Sequence, residues 1–140
     1  MANVMQLDVL SPDAYVITAD NITYVGAKTT NGGYGIKPRH ATMVAELEPA
    51  PLKYCDDQGA AHYLFVDGGF LEMKENRVTI MSVAAETAES IDAEKAQADL
   101  ERAQAKLDNP KEGIDMAEVL KDIKRARARL NTVQLAGAHA

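Results

Sequence analysis

The side chains of this 140-residue chain with the widest catalytic and metal-binding range are His40, His62, His139 and a single cysteine, Cys55. A thiol becomes a useful nucleophile only where its surroundings lower its pKa, and nothing adjacent to Cys55 in the chain would do so. A Cys–His hydrolase also needs a positioned third group, so no catalytic residue is expected. His40 ends the stretch Gly33-Tyr34-Gly35-Ile36-Lys37-Pro38-Arg39-His40, whose glycines permit tight backbone geometry and whose proline sets a bend. It reads as a connection between strands, with His40 presented to a partner or to solvent. The histidines and the cysteine lack the short spacing of a zinc site, so no metal is expected. Neither GxxxxGK[ST] nor a strand followed by GxGxxG and a helix occurs. Asn31-Gly32-Gly33-Tyr34-Gly35 therefore reads as a turn, and Gly68-Gly69 as a bend between strands.

The charged residues carry more information. Between positions 115 and 130, Lys121, Lys124, Arg125, Arg127 and Arg129 outnumber Asp115, Glu118 and Asp122 by two. Between 92 and 108 the balance reverses: Asp92, Glu94, Asp99, Glu101 and Asp108 exceed Lys95, Arg102 and Lys106 by two. Acids early and bases late in a helix suit its dipole, so a well-solvated helix is one reading. A surface that docks on acidic protein is the other. The net charge of −6 argues against a nucleic-acid footprint over the whole molecule.

These residues must be held by two dissimilar halves. Up to about residue 84, short apolar runs alternate with turn residues, as in an all-β sandwich or barrel. Strands are expected at 5–10, 14–18, 22–27, 42–47, 52–55, 62–66, 69–73 and 78–83. After Ile91 the composition shifts to Ala, Glu, Asp, Lys, Arg and Gln, which lose least on entering a helix. Ala93, Ala96, Leu100, Ala103 and Leu107 form a narrow apolar seam, with Asp92 placed to cap the helix. Asn109-Pro110-Lys111-Glu112-Gly113 breaks it. A second helix starts near Asp115 with Met116, Val119 or Leu120, Ile123, Ala126, Leu130 and Val133 on one face, giving an antiparallel hairpin. Its seam is poor in large side chains, as suits a detachable element. With 46% hydrophobic and 26% charged residues the chain is globular. The lone cysteine, together with the lack of an apolar leader or span, points to a soluble protein of a reducing, cytosolic compartment.

The order of motifs resembles the epsilon-subunit family of bacterial F-type ATP synthases, the counterpart of mitochondrial delta. Gly35-Ile36-Lys37-Pro38-Arg39-His40-Ala41 is similar to that family's G-I-x-P-G-H-A. Gly68-Gly69-Phe70-Leu71-Glu72-Met73 with Asn76-Arg77-Val78-Thr79-Ile80 is similar to its S-G-G-x-x-E-V and N-x-V-T-V-L. Leu7-Asp8-Val9-Leu10-Ser11-Pro12 fits the first strand, Ile91-Asp92-Ala93-Glu94-Lys95-Ala96 the opening of the first helix, and Arg125-Ala126-Arg127-Ala128-Arg129-Leu130 the end of the second. Arg39 departs from the pattern, standing where the family usually has glycine. So do Ala50, at a common glycine, and Lys95, at the arginine of nucleotide-binding members.

The resemblance implies an α+β chain: an antiparallel β-sandwich of about ten strands over residues 1–86, then a regulatory helical hairpin over 87–140. It implies a noncatalytic rotor subunit of the central stalk, coupling c-ring rotation to ATP synthesis through gamma, peripheral on the cytoplasmic face of the bacterial plasma membrane. Asn31, Gly32, Gly33, Tyr34, Arg39 and His40 are then the expected c-ring contacts. Lys121, Lys124, Arg125, Arg127 and Arg129 would meet the alpha/beta subunits, on acidic residues of beta, when the hairpin extends to inhibit ATP hydrolysis. Asp92, Lys95, Ala96, Arg125 and Arg129 would face a regulatory ATP in the folded hairpin. No other cofactor is expected. Two alternatives remain open here: a nucleotide sensor, and a generic sandwich adaptor unrelated to energy conversion.

Overall fold

The computed structural model describes residues 3–138, so His139 lies outside the described residues. Seven strands come first: β1 (Met5–Ser11), β2 (Ala14–Thr29), β3 (Gly32–Ile36), β4 (Met43–Asp56), β5 (Ala61–Lys74), β6 (Arg77–Met81) and β7 (Ala85–Thr87). A short 3-10 turn, Ala88–Ser90, leads to α1 (Ala93–Asp108) and α2 (Met116–Ala138). Strand order is β1-β6-β5-β4-β2-β3, and β1 also pairs with β2, which closes the sheet into a flattened barrel. β1 and β6 run parallel; the other pairs are antiparallel.

The strand count differs from the sequence reading in an informative way. Positions 14–18 and 22–27 belong to one strand, as do 42–47 with 52–55 and 62–66 with 69–73. Two of the long strands change neighbours along their length, β2 passing from β1 to β3 and β4 and β5 from β7 to β6, while β4 keeps β5 beside it from Met43 to Cys55 and is interrupted at Glu48, between the Leu47–Gly69 and Pro49–Asp67 pairs. Counting β2, β4 and β5 as two segments apiece turns the seven strands into ten. Polar or glycine interruptions look like turns in a sequence, yet here they are bends within continuous strands. Gly68 (φ 71°) and Gly69 (φ 103°) make the bend in β5, and a Cβ on Gly69 would lie 2.0 Å from the Met81 carbonyl oxygen.

A second difference concerns 32–36, which is strand β3 and no turn; the turn lies at Thr30-Asn31. Gly35 pairs with Gly26 across the two strands, and the Tyr24 ring covers both, so that a Cβ at either would come within 3.0 Å of the ring. Missing side chains here make room for an aromatic one. Inside the barrel, Leu7, Val9, Val25, Ile36, Leu52, Leu71, Met73, Val78 and Ile80 are fully buried, at the alternate positions a strand presents to one face.

Asp92 caps α1, its carboxylate accepting from the Lys95 amide at 3.1 Å, and Asp115 accepts from the amides of Ala117 and Glu118 at the start of α2. Ala103, Val119 and Ile123 are buried between the helices, with Leu100, Leu107 and Ile114 against them. The single apolar face expected for α2 is incomplete. Leu120 is exposed, whereas Ala128 and Thr132 are buried, because α2 lies between α1 and the sandwich and needs two faces. On the sandwich side Ala128 and Val133 pack on Phe65 and Ile91.

Candidate functional site

The docked hairpin concentrates charge at two places. Along the seam between α1 and α2, Asp99, Arg102, Ala103 and Lys106 face Asp122, Arg125, Ala126 and Arg129 across a cleft of ≈ 240 Å³. Where α1 begins, Asp92, Lys95, Ala96 and Asp99 line a second cavity of ≈ 230 Å³ with Glu86, Ser90 and Arg129. Asp92, Lys95, Ala96 and Arg129 thus come together, while Arg125 stands on the other side of the wall formed by Asp99 and Arg129. Arg102 and Lys106 were missed in the sequence reading. Their spacing from Asp99, three and seven residues, puts them on the face of α1 that meets α2, which was the available signal.

The arginines are already engaged. Arg125 Nε donates to Asp67 Oδ1 at 2.9 Å and its Nη1 to Asp122 at 3.4 Å. The Asp67 hydrogen bond holds the guanidinium above its ordinary pKa, against the opposing effect of burial. Arg129 Nε donates to Glu86 Oε1 at 3.0 Å, with its guanidinium stacked 4.6 Å from the Phe65 ring centre. Lys124 pairs with Glu48 and Lys121 with Glu118. Among the described residues Arg127 has no carboxylate partner. Lys124, Arg125 and Arg129 therefore rest on acids of their own sandwich. Glu48, Asp67 and Glu86 lie on β4, β5 and β7, and no local pattern could have linked them to positions 124–129.

The stretch 31–40 is exposed along most of its length. Asn31, Gly32, Gly33 and Tyr34 lie at one end of β3, and Arg39 and His40 follow its other end, so β3 separates them into two groups. Tyr34 edges an open groove with Tyr24, Lys53, Tyr63 and Leu135. Arg39 adopts φ 66°, and its amide donates to Asn76 Oδ1 at 2.5 Å. His40 Nδ1 lies 2.8 Å from the Ala41 carbonyl oxygen. His62 is 2.9 Å from Asp56 and stacks on Tyr54 at 4.9 Å. That hydrogen bond, followed by one from the Ala60 amide, holds the Asp56 carboxyl below the usual carboxylate range. Among the described residues no three His, Cys, Asp or Glu side chains are grouped to hold a metal ion. No helix among them is long and apolar enough to cross a membrane.

Comparison with known proteins accounts for both halves. Residues 4–88 match the family model "ATP synthase, Delta/Epsilon chain, beta-sandwich domain", and residues 89–134 match "ATP synthase, Delta/Epsilon chain, long alpha-helix domain". The chain is 35% identical over 130 residues to the ATP synthase epsilon chain of Nitratidesulfovibrio vulgaris (strain DP4), spanning 93% of this chain and 96% of the relative. It is 37% identical over 126 residues to that of Symbiobacterium thermophilum, spanning 90% of each. A chain of the Euglena gracilis mitochondrial ATP synthase has the same fold, with a TM-score of 0.79 at 23% identity over 99% of this chain and 83% of that one.

Proposed function

This chain belongs to the delta/epsilon chain family of ATP synthases, and we propose that it serves there as a noncatalytic rotor subunit of the central stalk. The observation that carries this reading is the match of both family domains, in order, over residues 4–134. The sandwich would stand between gamma and the c-ring and pass on torque. Its closed sheet suits that task, since every long strand is bonded to neighbours on both sides around one contiguous buried apolar core. An apolar band crosses the outer face of β1, β6, β5 and β4, where Leu10 pairs with Met81, Met81 with Phe70, and Val44 lies diagonally beside Phe70. Val44, Phe70 and Met81 are each more than half exposed, which supports this band as the face that would receive gamma. The exposed groups at 31–34 and 39–40 are the candidate c-ring contacts, and association with the cytoplasmic face of the membrane would come through the ring alone.

The hairpin supplies regulation in this reading. Docked, it leaves ATP hydrolysis free; extended, it carries Lys121, Lys124, Arg125, Arg127 and Arg129 to acidic residues of the catalytic head and acts as a brake. Removing the chain beyond Ser90 should leave the complex assembled and raise its ATP hydrolysis. Unchanged hydrolysis would end the inhibitory part of the reading, and failure of the chain to copurify with gamma and the c-ring would end the whole.

A second reading, ATP sensing by the folded hairpin, is favoured by one observation: Asp92, Lys95, Ala96 and Arg129 line a common cavity. Lys95 keeps the charge of the family's arginine without its planar fork. Equilibrium dialysis with labelled ATP tests it, and no saturable binding up to about millimolar nucleotide, where Kd corresponds to only about 4 kcal/mol, would dismiss it.

A further inference from the structure

We propose that Glu48, Asp67 and Glu86 form an electrostatic mask: an internal acidic surface that occupies the basic run of α2 and releases it when salt or a competing polyanion weakens the pairs. The inference rests on the reading that the hairpin has a second arrangement, and names what governs the docked one.

Three strands converge on less than two turns of one helix. Glu48 of β4 meets Lys124, Asp67 of β5 meets Arg125, and Glu86 of β7 meets Arg129. Two of the pairs are drawn out of water: side-chain exposure is 31% and 10% for Arg125 and Asp67, and 25% and 31% for Arg129 and Glu86. Partial burial strengthens their attraction beyond that of an exposed pair. The apolar attachment is modest: Phe65, Ile91, Ala128 and Val133 form the docking cluster, and Ala50 and Tyr63 are buried beside grooves that α2 also lines. None of these belongs to the barrel core, which is complete without the hairpin.

Charge beyond the contacts acts in the same sense. Residues 1–86 hold eleven acids and six bases, a net charge of −5, opposite the most basic stretch of the chain. Repulsion is built in too. Lys28 of β2 lines the same groove as Lys124 and Arg127, and Arg127 has no acid there to answer it. A contact made of opposed charges with a small apolar seam is one whose equilibrium moves with ionic strength. It also excludes rivals: while the three carboxylates are in place, another acidic surface meets Lys124, Arg125 and Arg129 already paired.

The test uses the full chain with Cys55→Ser and spectroscopic probes at Asp57→Cys and Gln134→Cys, exposed sites on the sandwich and on α2. Raising salt from about 10 mM to about 1 M, which shortens the Debye length from about 30 Å to about 3 Å, should raise the ratio of undocked to docked molecules about tenfold. The Glu48→Gln, Asp67→Asn, Glu86→Gln variant should be undocked from the outset and insensitive to salt, and should bind a polyglutamate peptide about tenfold more tightly than the parent at low salt. Amide exchange of the barrel strands checks that the sandwich stays folded. If it does not, the Glu48–Lys124 pair, whose lysine is the most exposed of the three cations, decides the matter: Glu48→Lys and Lys124→Glu should each favour undocking, and together restore docking. A docked fraction unmoved by salt, or by both the triple variant and these reversals, overturns the mask and leaves the apolar seam as what holds α2. If the hairpin releases as expected but hydrolysis by the purified complex does not change, the mask stands and the braking role falls.

Discussion

Arg39 is the residue that departs at once from the family pattern and from what the local backbone favours. It holds φ 66°, the left-handed region where a Cβ meets the following carbonyl, at the position matched by the glycine of the G-I-x-P-G-H-A motif it resembles. Arg39→Gly should raise unfolding stability by about 0.5 to 1 kcal/mol in urea, because the relieved strain exceeds the added freedom of the unfolded chain. Gly69 is the converse. At φ 103°, with a Cβ due 2.0 Å from a backbone oxygen, Gly69→Ala combines strain with a collision that cannot relax cheaply. A loss of about 3 kcal/mol or more is expected in the same assay. Asp56 gives the pH signature. Its folded pKa lies below the unfolded one through the hydrogen bond with His62, so it stabilises the fold above the ordinary carboxylate pKa. That contribution disappears as pH falls through the folded value. Carbon NMR should find the Asp56 midpoint depressed, and His62→Ala should raise it.

Among the elements, α1 depends on its cap as much as on its seam. Alanines at 96 and 103 bury little area, so the first turn is fastened largely by the Asp92 carboxylate on the Lys95 amide. Asp92→Ala should cost the hairpin about 1 kcal/mol and fray the first turn by amide exchange, whereas Asp92→Ser should restore most of the loss. If ATP also needs the Asp92 carboxylate, the serine variant will hold the helix and still lose nucleotide, which separates capping from binding. The helices themselves were legible because Asp92, Asn109-Pro110 and Gly113 are strong local signals and the composition changes at Ile91. Strand β3 was hidden because its glycines favour a turn locally, whereas in the fold they make room for the Tyr24 ring across Gly26 and Gly35.

For the molecule as a whole, the two parts differ in how they are fastened. The barrel core draws its fully buried side chains from β1 through β6, and hydrogen bonding closes it on itself. The hairpin is attached by a small apolar cluster together with ion pairs to Glu48, Asp67 and Glu86 and the stacking of Arg129 on Phe65. Native-state amide exchange should therefore resolve at least two opening events, with slowest exchange at Leu7, Leu52, Leu71 and Ile80, and with α1 and α2 exchanging through a lower-energy opening. Salt should speed the second and leave the first nearly unchanged. A single exchange class for barrel and helices would mean that they unfold as one unit.

Local chemistry was enough to divide this protein into strands and helices, to mark where each helix begins, and through motif order to point to its family. Period, capping and turn propensity act over a few residues, so they can be read along a chain. What the fold alone decided were relations between distant positions: two long strands each bridging two sets of neighbours, a second buried face on α2, and carboxylates at 48, 67 and 86 paired with cations at 124, 125 and 129. Such pairs have no spacing in sequence to betray them, because it is the closure of the sheet and the docking of a helix that bring them within reach.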